Sequence, residues 1–88
     1  METVKLYTLS TCIHCKRLKE FMNKLNVQYD FIDVDLLKGE ERTEVVDEIK
    51  KLNPSCTFPT MKIGDEVIVG FDESKLKKAL KINQRIHD

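Results

Sequence analysis

The first two strand-like segments of this chain are joined through a single helical segment, and this arrangement limits the possible folds most strongly. TVKLYTL (residues 3–9) alternates apolar with β-favouring residues and predicts a strand. Apolar residues then recur with helical spacing and predict a helix from about residue 12 or 13 to 25, with Thr11 as its candidate cap. VQYDFIDVDL (residues 27–36) predicts a second strand. Strands joined in this way are parallel, with a right-handed crossover.

The second half of the chain extends this pattern with a helix, a hairpin and another helix. GEERTEVVDEIKKLNP (residues 39–54) has acids in its first turn and lysines in its last, which predicts a helix that stops at Asn53-Pro54. FPTMKIGDEVIVG (residues 58–70) predicts two short strands around Gly64-Asp65. A closing helix is expected from about residue 73 into the eighties. The prediction is therefore an α/β fold of order β-α-β-α-β-β-α, with a four-stranded mixed sheet and three helices.

Size and charge indicate one globular domain, residues 1–88, without a strong overall electric field. Lysine plus arginine equals aspartate plus glutamate at 15 each, so no net charge attracts nucleic acid or an anionic membrane. The chain has neither an apolar leader nor a run of about 18 apolar residues. With only three cysteines it also lacks the disulfide framework of a small secreted domain. We expect a cytoplasmic protein that contacts neither nucleic acid nor membrane.

Two of the cysteines lie where the first strand meets the first helix. Cys12 falls at the helix tip, where unpaired backbone N–H groups and the helix dipole favour a thiolate. Cys15 lies seven residues before Met22, on the stripe that faces the core. The exposed Cys12 is therefore predicted to attack a disulfide, and the shielded Cys15 to resolve the product.

The charges near the pair give only part of its advantage. His14, Lys16 and Arg17 favour the thiolate of Cys12. Lowering a thiol pKa from about 8.5 to about 7 nevertheless speeds attack only about threefold, because nucleophilicity falls as the thiolate fraction rises. The larger benefits are that a low-pKa thiolate leaves readily and that Cys15 is already positioned for intramolecular attack.

Other uses of a CxxC sequence fit this chain less well. A zinc site requires four ligands, and beyond this pair the chain offers only the distant Cys56 and two histidines. A metal cluster shared between two chains remains an alternative. Covalent haem attachment requires a histidine directly after the second cysteine, where this chain has Lys16.

Three elements in order give the chain its family resemblance. The CxxC at the strand–helix junction, TFP at residues 57–59 and GFDE at residues 70–73 resemble the glutaredoxin branch of the thioredoxin-fold family over about residues 3–82. The resemblance implies a thiol–disulfide oxidoreductase of the dithiol type, without a tightly bound cofactor and with glutathione as a candidate co-substrate. It implies catalytic roles for Cys12 and Cys15, and it matches Pro59 with the family's cis-proline.

The resemblance also implies a substrate groove. Its substrate-binding residues in this chain would be His14, Thr57, Phe58, Pro59, Gly70, Phe71 and Asp72. Two of these have equally plausible structural roles, because Phe71 could belong to the core and Asp72 could cap the last helix.

Departures from the family pattern bear on the electron donor. Glutathione-using members carry a lysine where this chain has Leu9, Pro-Tyr where it has Ile13-His14, and Gly-Gly where it has Val69-Gly70. The GF at residues 70–71 resembles instead the glutaredoxin-like redoxins that serve ribonucleotide reductase. We therefore expect a monomer that reduces protein disulfides and is itself reduced again by a disulfide reductase. The alternatives are a glutathione-dependent glutaredoxin and a dimeric module that binds an iron–sulfur cluster.

Two further residues have open interpretations. A cationic His14 would stabilise the thiolate and raise the reduction potential, unless it is an exposed residue without a role. Cys56, three residues before Pro59, is interpreted either as a regulatory thiol near the active site or as a small buried apolar residue.

Overall fold

A central four-stranded mixed sheet organises the protein. The computed structural model describes residues 3–80. The elements are β1 (Val4–Thr8), α1 (Ile13–Lys24), β2 (Asp30–Asp33), α2 (Gly39–Leu52), β3 (Thr60–Ile63), β4 (Glu66–Val69) and α3 (Glu73–Leu80). The strand order is β2-β1-β3-β4, and β1 pairs parallel with β2 and antiparallel with β3. The predicted element order is confirmed, while the predicted end of the last helix lies outside the described residues.

Each face of the sheet carries its own apolar core. The first core lies between the sheet and the helices α1 and α3, and it consists of Val4, Leu6, Leu18, Met22, Met61, Ile63, Ile68, Leu76 and Ala79. The second core lies between the opposite face and α2, and its buried residues are Tyr7, Val34 and Ile49. Alternation along β1 sends Leu6 to the first core and Tyr7 to the second, because successive strand residues point to opposite faces. Of the helices within residues 3–80, none has the length and apolar content required to span a bilayer.

The start of α1 at Ile13 agrees with the prediction, but its N-cap residue does not. Cys12 has the extended backbone conformation of an N-cap, and its side chain makes no capping hydrogen bond. The N–H of Cys12 donates to the carbonyl oxygen of Leu9 at 3.2 Å, and this turn leads directly into the helix. Thr11 remains exposed in the turn, so the prediction that Thr11 caps the helix is wrong. The cysteine itself therefore occupies the boundary position of the helix.

The second strand is shorter at both ends than the predicted 27–36. At its beginning, the Val27 N–H donates to the Met22 carbonyl oxygen at 3.0 Å, so this segment closes α1 instead of pairing with β1. Asn26 has a positive φ of 58° there, which asparagine tolerates better than most residues. At the far end, Val34–Leu36 form a 3-10 turn that buries Val34 in the second core. Tertiary burial thus outweighs the local preference of Val34 for a strand.

The loop between α2 and β3 is organised by one buried amide. The Asn53 Nδ2 group donates to the Thr57 carbonyl oxygen at 3.3 Å and to the hydroxyls of Thr57 and Thr60, each at 3.1 Å. The Asn53 Oδ1 accepts the N–H of Ser55 at 3.2 Å. Because Asn53 is only 4% exposed, these contacts replace its hydration and define the path of the chain toward Pro59.

We expect Asn53→Ala to lower the free energy of unfolding by about 1–3 kcal/mol, because it leaves buried polar partners unsatisfied. Asn23→Ala is the matched control, since Asn23 is exposed on α1 and a surface change of this kind falls within about 0.5 kcal/mol of wild type. Equilibrium unfolding in urea measures both variants. Equal midpoints for Asn53→Ala and wild type would contradict the proposed role of the amide.

Candidate active site

Strand register brings three loops to one end of the sheet. Thr60 pairs with Tyr7 of β1 and with Val69 of β4. The end of β1, the beginning of β3 and the end of β4 therefore lie side by side. The N–H of Gly70 donates to the carbonyl oxygen of Pro59 at 2.8 Å and joins two of these loops directly.

Pro59 is the residue at the centre of this end. The Phe58-Pro59 peptide bond is cis, which confirms the expectation drawn from the family resemblance. Pro59 is fully buried and directly precedes β3. A proline at the first position before a strand withholds no ladder hydrogen bond from the central part of the sheet.

Cys12 and Cys15 lie beside these loops in clearly different environments. Cys12, as the N-cap of α1, is half-buried, whereas Cys15 is 0% exposed. The N–H of Leu9, at the end of β1, approaches the Cys15 Sγ at 3.5 Å. The arrangement predicted from the sequence, with one accessible and one shielded thiol, is present.

The two thiols have opposite acid–base properties. Burial raises the pKa of the Cys12 thiol, but hydrogen bonds from the Cys15 thiol and from the backbone N–H groups of Cys15 and His14 lower it, and the net change is downward. Burial is also the main reason why the pKa of Cys15 rises to about 12, and the neighbouring Cys12 raises it further. The Leu9 N–H and the charge of Lys19 act in the opposite direction. Cys12 is therefore the thiol of the pair that ionises first.

The predicted groove residues on the α1 and β3 sides occupy different environments. His14 is exposed in the first turn of α1. Thr57 is exposed, and its carbonyl oxygen also accepts the Thr60 hydroxyl at 2.7 Å. Phe58 is half-buried against the second core. Their participation in substrate binding stays a prediction.

The predicted groove residues after β4 have clear structural roles. Gly70 has a positive φ of 80°, a conformation that favours glycine. The ring of Phe71 packs on the first core and meets Phe21 edge to face, with 5.7 Å between ring centroids. The Asp72 Oδ1 accepts the N–H of Lys75 at 3.2 Å and so caps α3. The structural interpretations of Phe71 and Asp72 are thus confirmed, and a contact of either with substrate stays a prediction.

Two carboxylates, one at the end of β2 and one just after it, fix the end of β1 and the loop that leads to Cys12, although sequence reasoning did not select them. Asp35 accepts the N–H of Ser10 at 2.8 Å as well as the Ser10 hydroxyl, and these hydrogen bonds hold the pKa of Asp35 below its usual range. Asp33 accepts the Thr8 hydroxyl at 2.6 Å. The alternating acids of DVD at residues 33–35 are the sequence signal for these contacts. The signal does not identify their partners, which lie on β1 and in the loop after it.

Cys56 lies in the loop before Pro59, and it packs in a different part of the structure from Cys12 and Cys15. It has a positive φ of 50°, donates its N–H to the Asn53 carbonyl oxygen at 2.8 Å, and packs against the second core. A regulatory role for this thiol stays a prediction. Within residues 3–80, no group of three or more histidine, cysteine, aspartate and glutamate side chains is arranged to hold a metal ion.

A mixed sheet of this topology, with a dithiol at the first helix and a cis-proline opening β3, defines a thioredoxin-fold thiol–disulfide oxidoreductase. The family model described as Glutaredoxin matches residues 4–68. The chain belongs to the glutaredoxin family.

Individual relatives agree with this assignment. A glutaredoxin-like protein in the rubredoxin operon of Clostridium pasteurianum is 30% identical, over 88% of this chain and 96% of that protein. The glutaredoxin of Archaeoglobus fulgidus is similar in structure, with a TM-score of 0.85 and 39% identity over 91% of this chain and 87% of its own. Methanosarcina acetivorans methanoredoxin has a TM-score of 0.84 and 37% identity, over 89% of this chain and 83% of its own.

The opposite acidities of the two thiols predict different alkylation profiles. Because its pKa is lowered, Cys12 in the folded protein should reach half-maximal reactivity toward iodoacetamide at a lower pH than in the unfolded protein. Cys15 should stay unmodified over the same range, because burial both shields it and keeps it protonated. Peptide mapping by mass spectrometry measures the two rates, and urea-unfolded protein is the control in which both cysteines react alike. Faster alkylation of Cys15 than of Cys12 in the folded protein would refute the assignment.

Proposed function

We propose that the protein reduces disulfides in other proteins, with Cys12 as the nucleophile and Cys15 as the resolving thiol. The observation that carries this proposal is the contrast between the accessible, acidic Cys12 and the fully buried Cys15. The Cys12 thiolate attacks one sulfur of the substrate disulfide. A bond forms between Cys12 and that sulfur, the substrate S–S bond breaks, and the second substrate sulfur leaves as a thiolate.

The second step releases the substrate. Cys15 loses its proton to solvent, and its thiolate attacks the Cys12 sulfur of the mixed disulfide. The bond from Cys12 to the substrate breaks as the Cys12–Cys15 bond forms. Two electrons have then passed from the dithiol to the substrate, which leaves with both sulfurs reduced. An external dithiol or two glutathione molecules must reduce the Cys12–Cys15 disulfide before the next cycle.

The surroundings of Cys12 favour protein substrates over glutathione. Leu9 occupies the position of the family's carboxylate-binding lysine, and its side chain packs against the second core, so it supplies no charge. Ile13, next to Cys12, is 57% exposed, and Val69, next to Gly70, is 45% exposed. Exposed apolar side chains beside a reactive group suit contact with a protein surface.

The proposal extends to the electron donor and the compartment. A disulfide reductase, flavin- or ferredoxin-linked, is the favoured donor, because the contact that would bind the glutathione carboxylate is missing at Leu9. A reducing compartment such as the cytoplasm suits a dithiol that must return to its reduced form after each cycle. The protein would act as a monomer and bind glutathione at most as a co-substrate.

A comparison of electron donors tests this preference. We expect a disulfide reductase to support faster steady-state reduction of a protein disulfide than glutathione with its own reductase. Leu9→Lys should raise the glutathione-dependent rate a few-fold, because it adds the missing cation, while Leu9→Met, the neutral control, should not. Flavin- and ferredoxin-linked reductases are assayed in parallel. Equal recycling of the wild type by glutathione and by the best reductase would overturn the proposed preference.

A further inference from the structure

The ammonium group of Lys19 is held in place one helical turn after Cys15. Its Nζ lies 3.1 Å from the Asp33 Oδ1 and 3.9 Å from the centroid of the Phe31 ring. The side chain is only 22% exposed, in contrast to the freely solvated lysines of the surface. Cys15 and Lys19 are four residues apart on α1, so they share one face of the helix.

The partner of Lys19 is itself anchored to the strand that leads into the site. The Thr8 hydroxyl contacts the Asp33 Oδ1 at 2.6 Å and the Ile32 carbonyl oxygen at 3.2 Å. Asp33 is 16% exposed, so this arrangement is partly shielded from water. Thr8 directly precedes Leu9, whose N–H contacts the Cys15 Sγ. The Lys19–Asp33 ion pair and the Cys15 sulfur therefore both contact the carboxyl end of β1.

The groups around the Cys15 sulfur have opposite effects on its ionisation. The Cys12 thiolate and burial disfavour a thiolate at Cys15, whereas the Leu9 N–H and the Lys19 charge favour it. Asp33, on β2, is the nearby carboxylate, and the Thr8 hydroxyl and the Lys19 ammonium already occupy it. Once Cys12 is bonded to a substrate, its negative charge disappears. The Leu9 N–H and Lys19 then remain to stabilise the thiolate that must form at Cys15.

We propose that Lys19 is a positioning residue for the resolving step, holding a positive charge beside Cys15 when the Cys15 thiolate attacks the mixed disulfide. This inference rests on the proposed roles of the two cysteines. Asp33, Thr8 and Phe31 hold the ammonium in position, and Lys19 neither contacts the substrate nor exchanges a proton in the step. The proton of Cys15 passes to solvent, and the substrate sulfur leaves as a thiolate.

A coloured disulfide reagent separates the two chemical steps. In a Cys56→Ser background, reduced protein is mixed with a symmetric aromatic disulfide whose released thiolate absorbs visible light. Attack by Cys12 releases the first aromatic thiolate and forms a mixed disulfide. Attack by Cys15 releases the second and forms the Cys12–Cys15 bond. The rate of the second release is measured as a function of pH.

The expected result is that Lys19→Met leaves the first release unchanged and slows the second. A loss of charge that raises the midpoint of the second release by one pH unit lowers its rate about threefold below that midpoint, because higher nucleophilicity offsets part of the lost thiolate. Lys19→Arg should restore both the rate and the midpoint. Lys24→Met is the matched control, since Lys24 is exposed on the same helix and should behave as wild type.

The outcomes distinguish this inference from the proposed function. A wild-type protein that never releases the second thiolate would refute the roles of the cysteines. A normal wild-type profile together with an unchanged profile for Lys19→Met would refute only the role of Lys19. Equal slowing by Lys19→Met and Lys19→Arg, without a shift in midpoint, would also refute it, since only packing would then be involved. Lys19→Gln provides a second neutral variant if Lys19→Met fails to fold.

Discussion

The pairing of β1 with both of its neighbours determines where the reactive groups lie. β1 is parallel to β2 and antiparallel to β3, so its carboxyl end meets the end of β2 and the beginning of β3 at one end of the sheet. Thr8 and Leu9 at this end contact Asp33 and Cys15, respectively. The apolar cores on the two faces hold the strand in this register, because a slip of one residue would exchange Leu6 and Tyr7 between them. The dithiol is thus positioned by a central strand, although Cys12 itself is the N-cap of α1.

At this end of the sheet, the chemistry depends on which of the two thiols loses its proton first. The Cys15 thiol donates a hydrogen bond to Cys12, which favours the thiolate at the accessible sulfur. Burial, with a smaller contribution from Cys12, raises the pKa of Cys15 and so disfavours its thiolate before Cys12 has bonded to a substrate. The site therefore imposes an order on the two steps.

Much of this architecture could be predicted from the sequence, because it depends on local periodicity. The apolar stripe of α1 placed Cys15 in the core and Cys12 at the tip of the helix, and the structure has both. The end of β2 is not predictable from local preference, because Val34 favours a strand and only its burial in the second core explains the turn that it forms. The sequence does not decide the role of Phe71, since an aromatic residue before a helix suits a groove and a core equally well.

The interactions that the sequence did not reveal are hydrogen bonds between polar side chains that only the folded chain brings together. The sequence identifies Asn53 only as the end of α2, because its contacts with Thr57 and Thr60 depend on the path of the following loop. The pairing of Lys19 with Asp33 depends likewise on the register of β1 with β2. Such partners are 4 to 14 residues apart along the chain, and no local pattern specifies them.

Stepwise oxidation in a defined thiol–disulfide buffer, followed by peptide mapping of the disulfides, is the most direct test of the paired role of Cys12 and Cys15. The expected result is one two-electron transition in which a Cys12–Cys15 bond forms within the monomer while Cys56 stays reduced. Bonds that involve Cys56, disulfides between chains, or independent oxidation of Cys12 and Cys15 would contradict it.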